Sequence, residues 1–249
     1  MTELELIADL HKATERQGPG SEADTLRALG CIDLAYGKDL KIADIGCGTG
    51  GQTLTLANHT EARITALDLF PEFLEVLDKR AQAMGLQRQV QTLQGSMDQL
   101  PFEKESFDII WSEGAIYNMG FEAGIENWRD YLKPGGYLAV SEITWTTGSR
   151  PREVEAFWEG EYPEISRAST KIQQLEAHGY TLAGYFALPR SSWIQGYYQP
   201  LERQYGPFLQ RHPDSDAARH IVEASREEVR LYERYGDYYS YGFYVARKD

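Results

Sequence analysis

The chain has 249 residues, with 25 Lys and Arg against 38 Asp and Glu, for a formal net charge of -13. A composition that is 42% apolar, 12% aromatic and 25% charged supports a packed core and excludes a disordered or collagen-like chain. Acidity of this size repels phosphate backbones and anionic membrane surfaces, so a small-molecule partner is expected, with no nucleic acid and no membrane.

Two N-terminal helices are predicted first. Leu6, Ile7 and Leu10 mark one, and residues 21 to about 34 mark the other. Gly18-Pro19-Gly20 forces a bend between them, and Ser21 with Asp24 resembles a capping box in which Asp replaces the usual Glu. Short apolar runs at 41–45, 64–68, 90–93, 107–111 and 137–140 then read as strands. Between the second and third, Phe73, Leu74, Leu77, Ala81 and Met84 fall on one helical face over 71–85, with Pro71 in the first turn and Gly85 as the stop. Strands alternating with helices imply right-handed βαβ crossovers and an open, doubly wound parallel sheet. Further on, 170–178 reads as a helix, 181–188 as a strand, 190–240 as mostly helical and rich in Tyr, and 241–247 as a closing strand. The expected organisation is one domain over 1–249: a helical cap (1–40), a ligand-binding core (41–142) and a substrate-side half (143–249) with an insertion at 190–240.

Cys31 and Cys47 make neither a disulfide framework nor a zinc motif, so no metal and a reducing, cytoplasmic compartment are expected. Residues 1–30 lack the pattern of a signal peptide, and no run approaches about 18 apolar residues.

The first strand leads into Asp44-Ile45-Gly46-Cys47-Gly48-Thr49-Gly50-Gly51, which opens a helix through Leu54, Leu56 and Ala57. Glycines at a strand-to-helix turn let backbone N–H groups approach a ligand at the helix N-terminus. The loop satisfies GxGxG through Gly46, Gly48 and Gly50 and GxGxxG through Gly46, Gly48 and Gly51, so the glycines alone do not choose between two adenosine cofactors. Asp68, at the end of the second strand, suits the ribose hydroxyls of either.

The rest of the chain discriminates. Asp44 ahead of the loop, Gly95-Ser96-Met97-Asp98, Leu100-Pro101-Phe102 leading into Ser106-Phe107-Asp108-Ile109-Ile110, and Leu132-Lys133-Pro134-Gly135-Gly136-Tyr137 resemble, in order and spacing, the class I S-adenosylmethionine-dependent methyltransferases. The resemblance covers residues 41 to 142 and is nearest to the small-molecule branch that includes the quinone-biosynthesis-like enzymes. It implies an α/β, Rossmann-like, seven-stranded and mostly parallel sheet with an antiparallel final strand. It also implies S-adenosylmethionine as cofactor, with Gly46, Cys47, Gly48, Thr49 and Gly50 supporting the methionine moiety and Asp44 near its ammonium. Asp68 would hold the ribose, Leu69 and Phe70 would lie beside the adenine, Ser96 and Met97 would flank the base, and Asp98 would accept from its exocyclic amine. Ser112-Glu113-Gly114 would line the pocket where the methyl is presented, and Gln17-Gly18-Pro19-Gly20-Ser21 resembles a cap that folds over the cofactor.

Methyl transfer demands alignment, exclusion of water and a nucleophile with a free lone pair. Glu113, His11 and Tyr117 are the candidate catalytic groups on the substrate side. Strand four ends in Ser112-Glu113-Gly114-Ala115 and lacks the Asn/Asp-Pro-Pro-aromatic motif of enzymes that methylate nucleobases or glutamine amides. Neither cysteine follows a proline, as a cytosine-C5 nucleophile would. Eleven of the 16 tyrosines lie between Tyr180 and Tyr244. They could line a pocket for an aromatic or cationic substrate, pack the insertion on the sheet, or form the contact of a homodimer. Seven arginines against eight acids in 190–240 read as a solvated helix surface. Two other functions remain open at this point. A nicotinamide-dependent oxidoreductase has only the GxGxxG coincidence in its favour, and a cofactor-binding protein without catalysis would keep the same loop.

Overall fold

The computed structural model describes residues 1–34 and 39–249, so four positions of the expected cap, 35–38, lie outside the described residues. The chain opens with α1 (Glu3–His11) and α2 (Glu22–Leu29). A reciprocal capping box is found in α1, between Thr2 and Glu5. At α2 the Ser21 hydroxyl accepts from the Asp24 amide at 3.2 Å, and the buried Asp24 Oδ2 accepts both the Ser21 hydroxyl at 2.6 Å and the Ser192 hydroxyl at 2.5 Å. The predicted capping pair thus became a tether between the cap and the late insertion. The helix also stops at Leu29, short of position 34, with Gly30 as its C-cap.

Alternation then builds the sheet: β1 (Lys41–Ile45), α3 (Gly51–His59), β2 (Arg63–Asp68), α4 (Pro71–Ala83), β3 (Val90–Gln94), β4 (Phe107–Glu113), α5 (Phe121–Arg129) and β5 (Leu132–Trp145). After it come α6 (Arg152–Glu161), β6 (Ser166–Arg167), α7 (Ala168–Ala177), β7 (Tyr180–Ala187) and α8 (Arg190–Trp193). A π-helical turn (Ile194–Tyr198), α9 (Gln199–Arg211), α10 (Asp216–Tyr235) and β8 (Tyr239–Lys248) complete the fold. The strand order is β3-β2-β1-β4-β5-β8-β7, with the two-residue β6 paired to β5 as an eighth strand beyond the seven expected. All pairings are parallel except those of β8, which runs antiparallel to both β5 and β7. β8 is therefore the single reversed strand, and β5 extends well past the predicted 137–140 because β8 pairs with it from Tyr137 to Trp145.

Helices cover both faces, so β1 is buried from Ile42 to Ile45 and reads as a continuous run, without alternation. Strand order reverses between β1 and its two neighbours, β2 and β4. Ligands of open α/β sheets bind outside the carboxyl ends of the strands at this switch point. The helix within 143–169, α6, is not expected from the sequence; it buries only Val154. Among the described residues, no helix is long and apolar enough to cross a membrane, and no cluster of His, Cys, Asp or Glu could hold a metal.

Among the described residues, one ion pair has almost no solvent access. Lys171 of α7 donates to Glu142 of β5 at 3.2 Å, with the side chains 1% and 0% exposed, and its ammonium lies 4.5 Å from the Phe121 ring centre. Burial pushes the Glu142 carboxyl up to about 7, against the opposing pull of Lys171. Because this folded-state value lies above the roughly 4.3 of an unfolded glutamate, Glu142 contributes most below that value, and the contribution is lost as pH rises through 7. Lys171→Met should therefore cost about 3–5 kcal/mol at pH 8, where Glu142 is left as a lone buried charge, and much less at pH 5, where it takes up a proton. Urea unfolding at the two pH values checks this, and an equal loss at both would contradict it.

Candidate active site

The carboxyl ends of β1, β2, β3 and β4 open into a cavity of about 450 Å³ beneath the N-terminal cap. Its floor is the glycine loop. Gly46 adopts φ +72°, and a Cβ there would sit 2.4 Å from the Ala115 Cβ. Gly48 adopts φ +56°, and its Cβ would sit 2.0 Å from Gln17 Oε1. Positive φ at both positions, with the Ala115 methyl against Gly46 and Gln17 of the cap against Gly48, favours glycine at each. Asp68 closes the β2 side, its carboxylate accepting the Gly48 amide at 2.8 Å and the Phe70 amide at 3.0 Å. One backbone donor on each oxygen leaves lone pairs for a ligand. Burial raises the Asp68 pKa, and the Phe70, Gly48 and Leu69 amides work against that rise.

The cavity wall takes in Leu69, Phe70, Ser96, Met97 and Asp98, and its mouth takes in His11, Glu113 and Tyr117. Cys47 also lines it, but burial pushes its thiol well up, so it stays protonated and is no nucleophile. Three residues expected around a cofactor lie elsewhere. Asp44 is fully buried under the loop, where Thr53 donates to it at 2.5 Å and Gln52 at 3.3 Å, and burial pushes it up to about 7. Gln52, which it orients, reaches the cavity in its place. Thr49 faces the cap: its amide donates to Gln17 at 2.8 Å and its hydroxyl to the Thr14 carbonyl at 2.9 Å. Gly50 lies against Leu77 of α4.

Glu113 differs from its expected role as a base. Its Oε2 accepts from Arg16 at 2.6 Å, and its Oε1 accepts from Thr25 at 2.7 Å and from the Trp111 indole at 2.9 Å. With side chains only 5% and 9% exposed, the Glu113–Arg16 pair is an internal clamp that joins the end of β4 to the cap. Three donors from the cap and from β4 occupy its two oxygens, so its hydrogen bonds are spent on holding the cap.

His11 and Tyr117 stand at the mouth. The Ile7 carbonyl accepts from His11 Nδ1 at 2.9 Å, which puts the proton there and leaves Nε2 as the lone-pair nitrogen, met by the Tyr197 hydroxyl at 3.5 Å. Burial lowers the His11 pKa, so the ring is neutral at pH 7, and it stacks on Tyr197. Tyr117 has its pKa raised by burial and remains a phenol at neutral pH. Tyr117 and Tyr197 also line a second, adjoining cavity of about 220 Å³, and Gly114 and Pro19 complete the shared neck. Arg16, Gln52, Asn118 and Tyr197 were not singled out from the sequence. Only Arg16 carried a signal, a lone arginine beside the Gly18-Pro19-Gly20 bend.

Comparison with known proteins bears on this arrangement. Residues 42–136 match a family described as a methyltransferase domain. A phthiotriol/phenolphthiotriol dimycocerosates methyltransferase of Mycobacterium leprae is 32% identical over 138 residues, covering 54% of this chain and 45% of that protein. This chain spans about half the length of the curated relatives it matches. A solved S-adenosylmethionine-dependent methyltransferase from Geobacter sulfurreducens, in complex with S-adenosylhomocysteine, superposes with a TM-score of 0.85 at 17% identity, covering 98% of each chain. The corresponding Thiobacillus denitrificans structure gives 0.81 at 20% identity, covering 100% of this chain and 99% of that one.

The clamp makes a prediction of its own. Arg16→Met strands the buried Glu113, which costs on the order of 3–5 kcal/mol, and should release the cap before the sheet unfolds. Hydrogen exchange at the Thr49 amide, which Gln17 covers, should then accelerate at least tenfold while β1 exchange is unchanged. Unaltered protection at Thr49 would show that the clamp does not hold the cap.

Proposed function

We propose that this protein, whose residues 42–136 match a methyltransferase domain, is a class I S-adenosylmethionine-dependent methyltransferase that transfers a methyl group to a small-molecule acceptor seated in the second cavity. The observation that carries the reading is Asp68, a buried carboxylate whose spare lone pairs line a cavity floored by glycine backbone. The fit to the cofactor is chemical as well as spatial. Asp68 would accept from the ribose hydroxyls, Leu69, Phe70 and Met97 would enclose the adenine, and Asp98 would accept from its amino group. The backbone at Gly46, Cys47 and Gly48, with Gln52 beside it, would support the amino-acid end. Thr49, Gly50 and Asp44 would act from behind, holding the loop in shape. When bound, S-adenosylmethionine supplies an electrophilic methyl on a sulfonium whose charge disappears during transfer.

The chain's own residues then orient the acceptor and exclude water. Leu4, Ile7 and Pro19 roof the cavity with apolar surface, and expulsion of water strengthens every electrostatic contact inside it. Tyr117 donates from its phenol at the neck. His11 offers the Nε2 lone pair as a proton acceptor for acceptors that must lose a proton. Glu113 acts through Arg16 as a positioning residue for the roof.

Calorimetric titration with S-adenosylhomocysteine tests the assignment. The wild type should bind it and should prefer it to its 2′-deoxy analogue. Asp68→Ala should weaken binding at least about 100-fold, as expected for loss of two charged hydrogen bonds of about 1.5–3 kcal/mol each, and should no longer distinguish the analogue. No binding by the wild type at millimolar ligand, or undiminished discrimination in the variant, would overturn the reading.

A further inference from the structure

The second cavity lies between α6, α8, the π-helical turn and α10, and opens through the neck at Gly114 and Tyr117. Its wall is aromatic to an unusual extent: Phe157, Trp158, Tyr162, Trp193, Tyr197 and Tyr241 all line it. Two carboxylates, Glu161 at the end of α6 and Glu228 in α10, share that wall, and no Lys, Arg or His does. Among the described residues, neither acid has an ion-pair partner. Glu228 receives a single hydrogen bond, from the Tyr198 hydroxyl at 2.9 Å on Oε1. Other acids of α10 are provided for differently, as Glu223 and Glu227 pair with Arg230 on the exposed face.

We propose that this cavity binds a small organic cation, and that the methyl acceptor is therefore an amine whose methylated product is an ammonium ion. The inference rests on the methyltransferase reading for the transfer itself, but the cation preference belongs to the cavity. Ring faces carry negative quadrupole charge and attract cations most strongly where water is excluded. Glu161 is exposed at the rim and Glu228 is half-buried; a half-buried carboxylate with no counter-charge has lost part of its hydration, and a bound cation supplies that charge. Burial and the nearby Glu161 carboxylate both raise the Glu228 pKa, as expected for an acid site lacking its cation. An anionic acceptor such as a carboxylate or phosphate would face two acids with no positive residue to offset them. In the transfer, the free amine's lone pair forms the new N–C bond as the S–C bond breaks and its electron pair stays on sulfur. The proton that an alkylammonium sheds beforehand passes to His11 Nε2 at the mouth and on to water, and Glu228 serves as the counter-charge for the cation.

Choline and its neutral isostere 3,3-dimethylbutan-1-ol differ only in charge, so they isolate the claim. Calorimetric titration of each, with ligand-free protein and with protein saturated in S-adenosylhomocysteine, should give at least tenfold tighter binding of choline. Glu228→Gln should cut that preference to threefold or less. The wild-type comparison alone decides the matter if the variant does not fold. Equal binding of the two probes, or tighter binding of an anionic probe such as butyrate, would overturn the cation assignment and leave the methyltransferase reading standing. A cation preference in ligand-free protein together with no S-adenosylhomocysteine binding would uphold the cavity's selectivity and overturn the transfer.

Discussion

The buried pair of Arg16 with Glu113 is the contact on which the site depends. Glu113 ends the central strand β4, where Trp111 and Thr25 satisfy one oxygen and Arg16 the other. Arg16 in turn fixes the start of the bend that sends Gln17 into the glycine loop and Pro19 over the cavity. Further contacts keep the cap in register: Thr14 and Glu15 carbonyls on the Thr49 hydroxyl, Arg80 on the Thr49 carbonyl, and Asp24 on Ser192. Each is a hydrogen bond of ordinary net worth, about 1 kcal/mol. The buried pair is different in kind, because losing one partner leaves an unpaired charge where water cannot reach.

The clamp makes an open strand-end cleft into two adjoining cavities. The larger is built from short-range features of the sheet: the loop after β1, the carboxylate ending β2 and the turn after β3. The smaller is built from the later part of the chain, and its character comes from side chains that α6, the π-helical turn and α10 bring together. The extra residue in a π turn displaces side chains from helical register. Here it accompanies a close approach to the cap, since a Cβ on Gly196 would lie 2.2 Å from the Gly20 carbonyl oxygen. Tyr197 consequently reaches both the His11 ring and the neck.

Much of the first cavity was legible in the sequence because its chemistry is local. Gly46, Gly48 and Asp68 lie at strand ends whose positions follow from apolar runs. What escaped depended on partners distant in sequence. Nothing local marks Glu113 as the partner of an arginine 97 residues earlier. Asp44 carries the motif's acid, yet its strand is buried on both faces and Thr53 and Gln52 absorb it. The tyrosines show the same limit: Tyr197 and Tyr241 line a cavity, whereas Tyr232 stacks on Trp193 at 4.5 Å and packs the insertion. Counting tyrosines gave the composition of that region but could not divide it. Glu228 was hidden among eight acids of a segment read as solvated.

The account's central claim is that a nucleoside in the first cavity presents its sulfur to the second through the neck between Gly114 and Tyr117. A crystal structure of the protein with S-adenosylhomocysteine and tetramethylammonium tests it most directly. The account predicts ribose hydroxyls on Asp68, sulfur at the neck, and cation density between the aromatic wall and Glu228. A nucleoside outside the first cavity, or a sulfur turned away from the second, would contradict it.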